Sequence, residues 1–211
     1  MGQMISGLID SVDHDEEKQK LASDALTQMQ EMGQQQIDYF QQFITNSAAN
    51  DKRLPIDMII HQDSIVRCSI SSKPYDIGKE IGTSFGQFAK GALAAGLETV
   101  VSSGIKALVG SYEGNKALRD TYAITTGDLG GIQRVDIRMF AWKYSSKQLM
   151  DITKDVVAVA VVVSSVRAKD IDISTVRTLV QEQYSDVSAE ERKQILNLIL
   201  AAKKEEQSEG G

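Results

Sequence analysis

Cys68 is the only cysteine of a 211-residue chain, and it has a histidine, His61, and a carboxylate, Asp57, close by in sequence. Thiol, imidazole and carboxylate are the parts of an activated-cysteine site, where the imidazole takes the thiol proton and the carboxylate orients the ring. The alternation around them points elsewhere. Residues 54–60 and 66–70 alternate apolar and polar, which predicts two strands joined by a turn near Gln62 to Ser64. Pairing Met58 with Cys68 keeps both apolar sets on one face and turns Asp57 and His61 to the other. A thiol on the core face is inert, so Cys68 reads as a small core residue, with acylation as its remaining chemical use.

Other reactive patterns are thinner still. His14 stands among Asp13, Asp15, Glu16 and Glu17, a run that lacks the glycine and distal glutamate of a calcium loop. There is no HExxH or CxxC spacing, so neither a metal nor another cofactor is expected. Gly127, Gly130 and Gly131 precede a strand rather than a helix, which makes them a hairpin turn and not a phosphate cradle. No catalytic residue is assigned, and the reading leans away from an enzyme.

Three features suggest binding instead. Gly78, Gly82 and Gly86 recur every four residues, beside an apolar stripe of Ile77, Ile81, Phe85 and Phe88. Such a ladder admits a second backbone at close range, or lies in a lipid interface; its competing use is packing inside a core. Met1-Gly2-Gln3-Met4-Ile5-Ser6 fits the pattern for N-myristoylation of Gly2. Phe140, Trp142 and Tyr144 share a strand face with Arg134, Asp136 and Arg138, so either a helix covers them or they form a partner surface.

The elements that must carry these residues follow from hydrophobic period. Residues 15–46 read as a long surface helix with Leu21, Ala25, Met29, Met32, Phe40 and Phe43 near one face. After the hairpin at 54–70, residues 77–109 read as one helix rich in small residues, with a break at Gly96 or Gly104 as the alternative. Residues 121–126 and 132–144 form a second hairpin. Residues 145–167 read as a buried helix in preference to a central strand at 156–163, because short apolar runs suit both. Helices at 174–184 and from Ser188 close the chain, the last opened by a Ser188–Glu191 capping box.

The expected fold is α+β: an antiparallel sheet of about four strands, as two hairpins, flanked by long helices. Residues 1–205 are expected to form one domain and 206–211 a disordered polar tail. Hydrophobic residues make up 42% and the net charge is −6. That balance argues against nucleic-acid binding, which draws on clustered Lys and Arg. One cysteine excludes an internal disulfide and favours a cytoplasmic home. No basic start marks a signal peptide, and no apolar run approaches the ~20 residues of a membrane-spanning helix.

Functionally, the leading expectation is a non-enzymatic protein that associates with a membrane surface, or with itself, through helix 77–109. The alternative is a soluble protein-interaction module or homo-oligomer without lipid affinity. It would use the outer face of helix 15–46 or the aromatic end of strand 132–144.

Overall fold

The computed structural model describes residues 16–45, 54–69, 90–110, 116–127, 130–143 and 155–209. In chain order these form α1 (Glu16–Thr45), β1 (Ile56–Ser69), α2 (Ala92–Gly110), β2 (Lys116–Gly127), β3 (Gly130–Lys143), β4 (Asp155–Val166), a 3-10 turn (Ala168–Asp170), α3 (Ile173–Gln183) and α4 (Ala189–Glu209). The four strands make one antiparallel sheet in the order β1-β4-β3-β2. Helix α1 covers one face; α2, α3 and α4 cover the other. The α+β expectation therefore holds, while several of its parts are assembled differently.

The segment read as a buried helix over 145–167 contains β4. In the sheet, β4 lies between β1 and β3, and both its faces are covered. Val157, Val159, Val161 and Val163 join the core under α2, α3 and α4, while Ala158, Ala160 and Val162 join the core under α1. A strand buried on both faces reads as an unbroken apolar run, and its β-branched valines favour extended backbone. Residues 145–154 lie outside the described set.

The first expected hairpin is a single strand. β1 pairs along its length with β4, Met58 opposite Ser165 and Cys68 opposite Val156, so Met58 and Cys68 never face each other. Register shifts between Ile56 and Met58, and again between Ile59 and His61, break the alternation. The polar run Gln62 to Ser64 is mid-strand at a sheet edge, where solvent can meet one side of the backbone. The hairpin at Gly127 to Gly131 is as expected: β2 and β3 pair from Lys116–Trp142 to Gly127–Gly130, and Gly131 adopts φ +79°.

The single helix expected over 77–109 is also corrected. Gly91 sits at φ +57°, a left-handed conformation incompatible with a continuing right-handed helix, and α2 begins at Ala92. Leu93, Leu97, Val101, Ile105 and Leu108 all enter the core. Gly96 and Gly104 permit that burial. A Cβ on Gly96 would lie 2.8 Å from Ile195 and 2.9 Å from Tyr184; one on Gly104 would lie 2.6 Å from Met139. These small residues serve contacts within the chain.

Helix α1 approaches the sheet over Gly33, whose added Cβ would stand 3.0 Å from Val66. Met29, Ile37, Phe40 and Ile44 point inward, whereas Phe43, expected on the same face, leans out. At the far end, Ser188 and Glu191 form the expected capping box: the Ser188 N–H donates to the Glu191 carboxylate at 3.2 Å and the Glu191 N–H to Ser188 Oγ at 3.3 Å. Helix α4 extends to Glu209, into the segment read as a polar tail. Its Lys203 donates to the Ala168 carbonyl, and its Glu206 accepts the Ala168 N–H at 3.2 Å.

Candidate functional site

On β3 the side chains of Arg134, Asp136, Arg138, Phe140 and Trp142 alternate onto the face that α1 crosses. Four charges gather here in two pairs. The Arg134 guanidinium donates to Asp136 from Nε at 2.9 Å and from Nη2 at 2.7 Å, and from Nη1 to the Leu54 carbonyl at 3.1 Å. Its carbon lies 4.4 Å from the centre of the Tyr122 ring. Arg138 grips Asp120 of the neighbouring strand bidentately, at 2.7 and 2.6 Å. It is roofed by Phe40 at 4.8 Å and Tyr39 at 5.4 Å.

Each buried arginine therefore has a carboxylate and an aromatic face, which offsets the cost of removing it from water. Asp120 stands directly opposite Arg138 in the β2–β3 register. A one-residue slip of that hairpin would strand Arg138, so the pair fixes the register. Nothing in the cluster is a nucleophile, and both carboxylates are engaged. Its chemistry is cohesive: it ties α1 to the two strands that it only partly covers.

The rim of this cluster is different. Tyr39 is 61% exposed although its ring reaches Arg138, Phe43 is 37% exposed one turn further along α1, and Leu118 is 51% exposed. Leu118 precedes Asp120 by two residues and so shares its face of β2. Tyr39 and Leu118 thus flank the Arg138–Asp120 pair, whose Asp120 side chain is 47% exposed. The outer face of α1 carries Gln28, Gln35 and Gln42 with the exposed carboxylates Asp24, Glu31 and Asp38 between them at steps of three and four, and Tyr39 and Phe43 border this stripe.

Of the site residues expected from sequence, Phe140 lies under α1 at 5% exposure and Trp142 packs against the same cluster. The helix-cover alternative describes them; Tyr144 lies outside the described residues. So do Gly2, Gly78, Ile81, Gly82, Phe85, Gly86 and Phe88. Cys68 and His61 are seven residues apart on one continuous strand, ~23 Å at 3.3 Å per residue, which removes the Cys/His/Asp reading. Asp57 faces Arg167 at 4.0 Å instead. Among the described residues no group of three or more His, Cys, Asp or Glu side chains could hold a metal ion.

The membrane-associating reading, with lipid as partner, is overturned. No helix among the described residues is long and apolar enough to cross a membrane. The described part of the element meant to swing onto lipid, α2, has its apolar face committed to the core. The glycine-zipper description fails there for the same reason.

No protein-family model matches the chain, and comparison with curated proteins finds no match.

Proposed function

We propose that this protein is an interaction module that self-associates through the outer face of α1 and the adjoining strip of β2. The observation that carries the reading is the exposed Tyr39, Phe43 and Leu118 grouped around the buried Arg138. Interface cores are enriched in aromatic residues and arginine; here Arg138, held rigidly beneath Tyr39, adds the arginine. A two-fold contact presents the same patch twice, so each aromatic contributes at two places.

The stripe from Gln28 to Phe43 is ~24 Å long at 1.5 Å per residue. That is a modest patch, below the ~800 Å² per partner of a standard interface. Light scattering across a concentration series tests it. Wild type should shift from monomer to dimer, and Gln35→Glu/Gln42→Glu, which sets like charges against each other across the two-fold, should remain monomeric. A chain monomeric at every concentration up to roughly 1 mM would remove the proposal.

A further inference from the structure

We infer that the cavity between β2 and the end of α3 binds a free amino acid, holding its α-carboxylate on Arg119 and its α-ammonium on Asp186. The cavity lies on the sheet face opposite α1 and stands on observations independent of self-association.

The strand register builds one wall. β2 and β3 pair without a shift from Lys116 to Thr126, so the side chains of Arg119, Thr121 and Ala123 share one face of β2. Ala123 belongs to the core under α2, α3 and α4. Arg119 and Thr121 are therefore on that side, while Asp120 points to the other, bound to Arg138. Two hydrogen bonds hold the facing wall. Tyr184 donates its hydroxyl to the Ile124 carbonyl at 2.8 Å, and Gln183 accepts the Ile124 N–H at 2.9 Å. They tie the end of α3 to β2 and fix the turn that follows, which carries Ser185 and Asp186.

The space between them is about 260 Å³, walled by Arg119 and Thr121, by Val100 of α2, and by Gln183, Ser185 and Asp186 among others. Of the charged groups around it, Asp120 is committed to Arg138 and Glu182 is engaged. Arg119 and Asp186 have no partner among the described residues. One unengaged charge of each sign is satisfied by neither an anion nor a cation alone; it fits a ligand that carries both. An α-amino acid does so on adjacent atoms, offering a carboxylate to the guanidinium fork and N–H donors to the carboxylate. The volume lies just under the ~300–1,000 Å³ of sites for drug-sized molecules, which suits an occupant this small. Val100 supplies an apolar wall, whereas the hydroxyls of Thr121 and Ser185 and the amide of Gln183 are polar. The side chain accepted is therefore polar and uncharged.

The probe is L-glutamine, titrated into the isotope-labelled full chain and followed by backbone amide shifts. Saturable shifts are expected at Arg119 to Tyr122 and at Gln183 to Asp186, with a Kd of about 1 mM or below. N-acetyl-L-glutamine lacks the ammonium and L-glutamine α-amide lacks the carboxylate; each should bind about tenfold more weakly. Arg119→Gln should remove the discrimination against the amide and keep that against the acetylated ligand. Asp186→Asn should do the reverse. Both positions are exposed, so neither variant should melt lower. Absence of saturable shifts up to about 10 mM in the folded chain would overturn the inference. Equal binding of the three ligands would do so too, since the cavity then reads neither charge, as would variants that weaken all three alike.

Discussion

Replacing Gly96 and Gly104 by alanine, one at a time, separates a helix locked in the core from one free to leave it. On an exposed helix each change would stabilise by ~1 kcal/mol through helix propensity. At Gly96 the new methyl would meet Tyr184 ring carbons at 2.9 and 3.1 Å and the Ile195 terminal methyl at 2.8 Å, well inside the ~3.5–4.0 Å of a relaxed carbon contact. The Tyr184 ring is pinned by its hydrogen bond to Ile124, so it yields little. Overpacking costs ~1–3 kcal/mol; against a pinned ring the cost lies in the upper part of that range, about 2–3 kcal/mol, so after the ~1 kcal/mol propensity gain Gly96→Ala should lose about 1–2 kcal/mol net. At Gly104 the clash is with the Sδ and Cε of Met139, both at 2.6 Å. That flexible end can re-pack, so overlap and propensity offset and the net change lies near zero. Urea unfolding with a constant m-value measures both. At ~2–4 °C per kcal/mol, Gly96→Ala should melt roughly 2–8 °C lower. If both variants were stabilised by a similar ~1 kcal/mol, α2 would not be packed as described.

Two further perturbations probe the buried polar groups. Asp136→Asn leaves Arg134 buried without its counter-charge and should cost ~3–5 kcal/mol in urea unfolding; Asp120→Asn, at a half-exposed carboxylate, should cost clearly less. Burial pushes the Tyr184 phenol well above its ordinary range. The unfolded chain releases that proton near pH 10 while the fold retains it, so the folded state binds more protons above that pH. Its contribution is complete below pH ~10 and declines above it, by at most ~1.4 kcal/mol per pH unit. Tyr184→Phe should flatten that alkaline decline, as read from urea midpoints between pH 9 and 11; an unchanged slope would contradict the burial argument.

What the sequence disclosed depended on where each element sits. The helices at the surface, α1, α3 and α4, showed their period and the Ser188–Glu191 cap because one face of each meets water. The β2–β3 hairpin was legible from its glycines. β4 was not, since a strand covered on both faces has no polar positions to mark a period of two. β1 was missed because bulges and the polar stretch Gln62 to Ser64 imitate a turn. The site was less legible still. Arg134, Asp136 and Arg138 showed in sequence only as the polar end of a strand face, and it is the path of α1 over β3 that makes them a buried network. The small residues of α2 suggested lipid, yet the meaning of Gly96 and Gly104 lies in Tyr184, Ile195 and Met139, which are remote in sequence.

The association face can be measured directly by spin labels placed at Gln42, an exposed position on the α1 stripe, in a Cys68→Ser background. Two such helices packed at ~8–10 Å between axes bring the labels within about 30 Å. Pulsed electron resonance should then give a defined distance that fades on dilution and vanishes in Gln35→Glu. A concentrated sample with no intermolecular distance, or with one that the charge substitution leaves intact, would contradict association through α1.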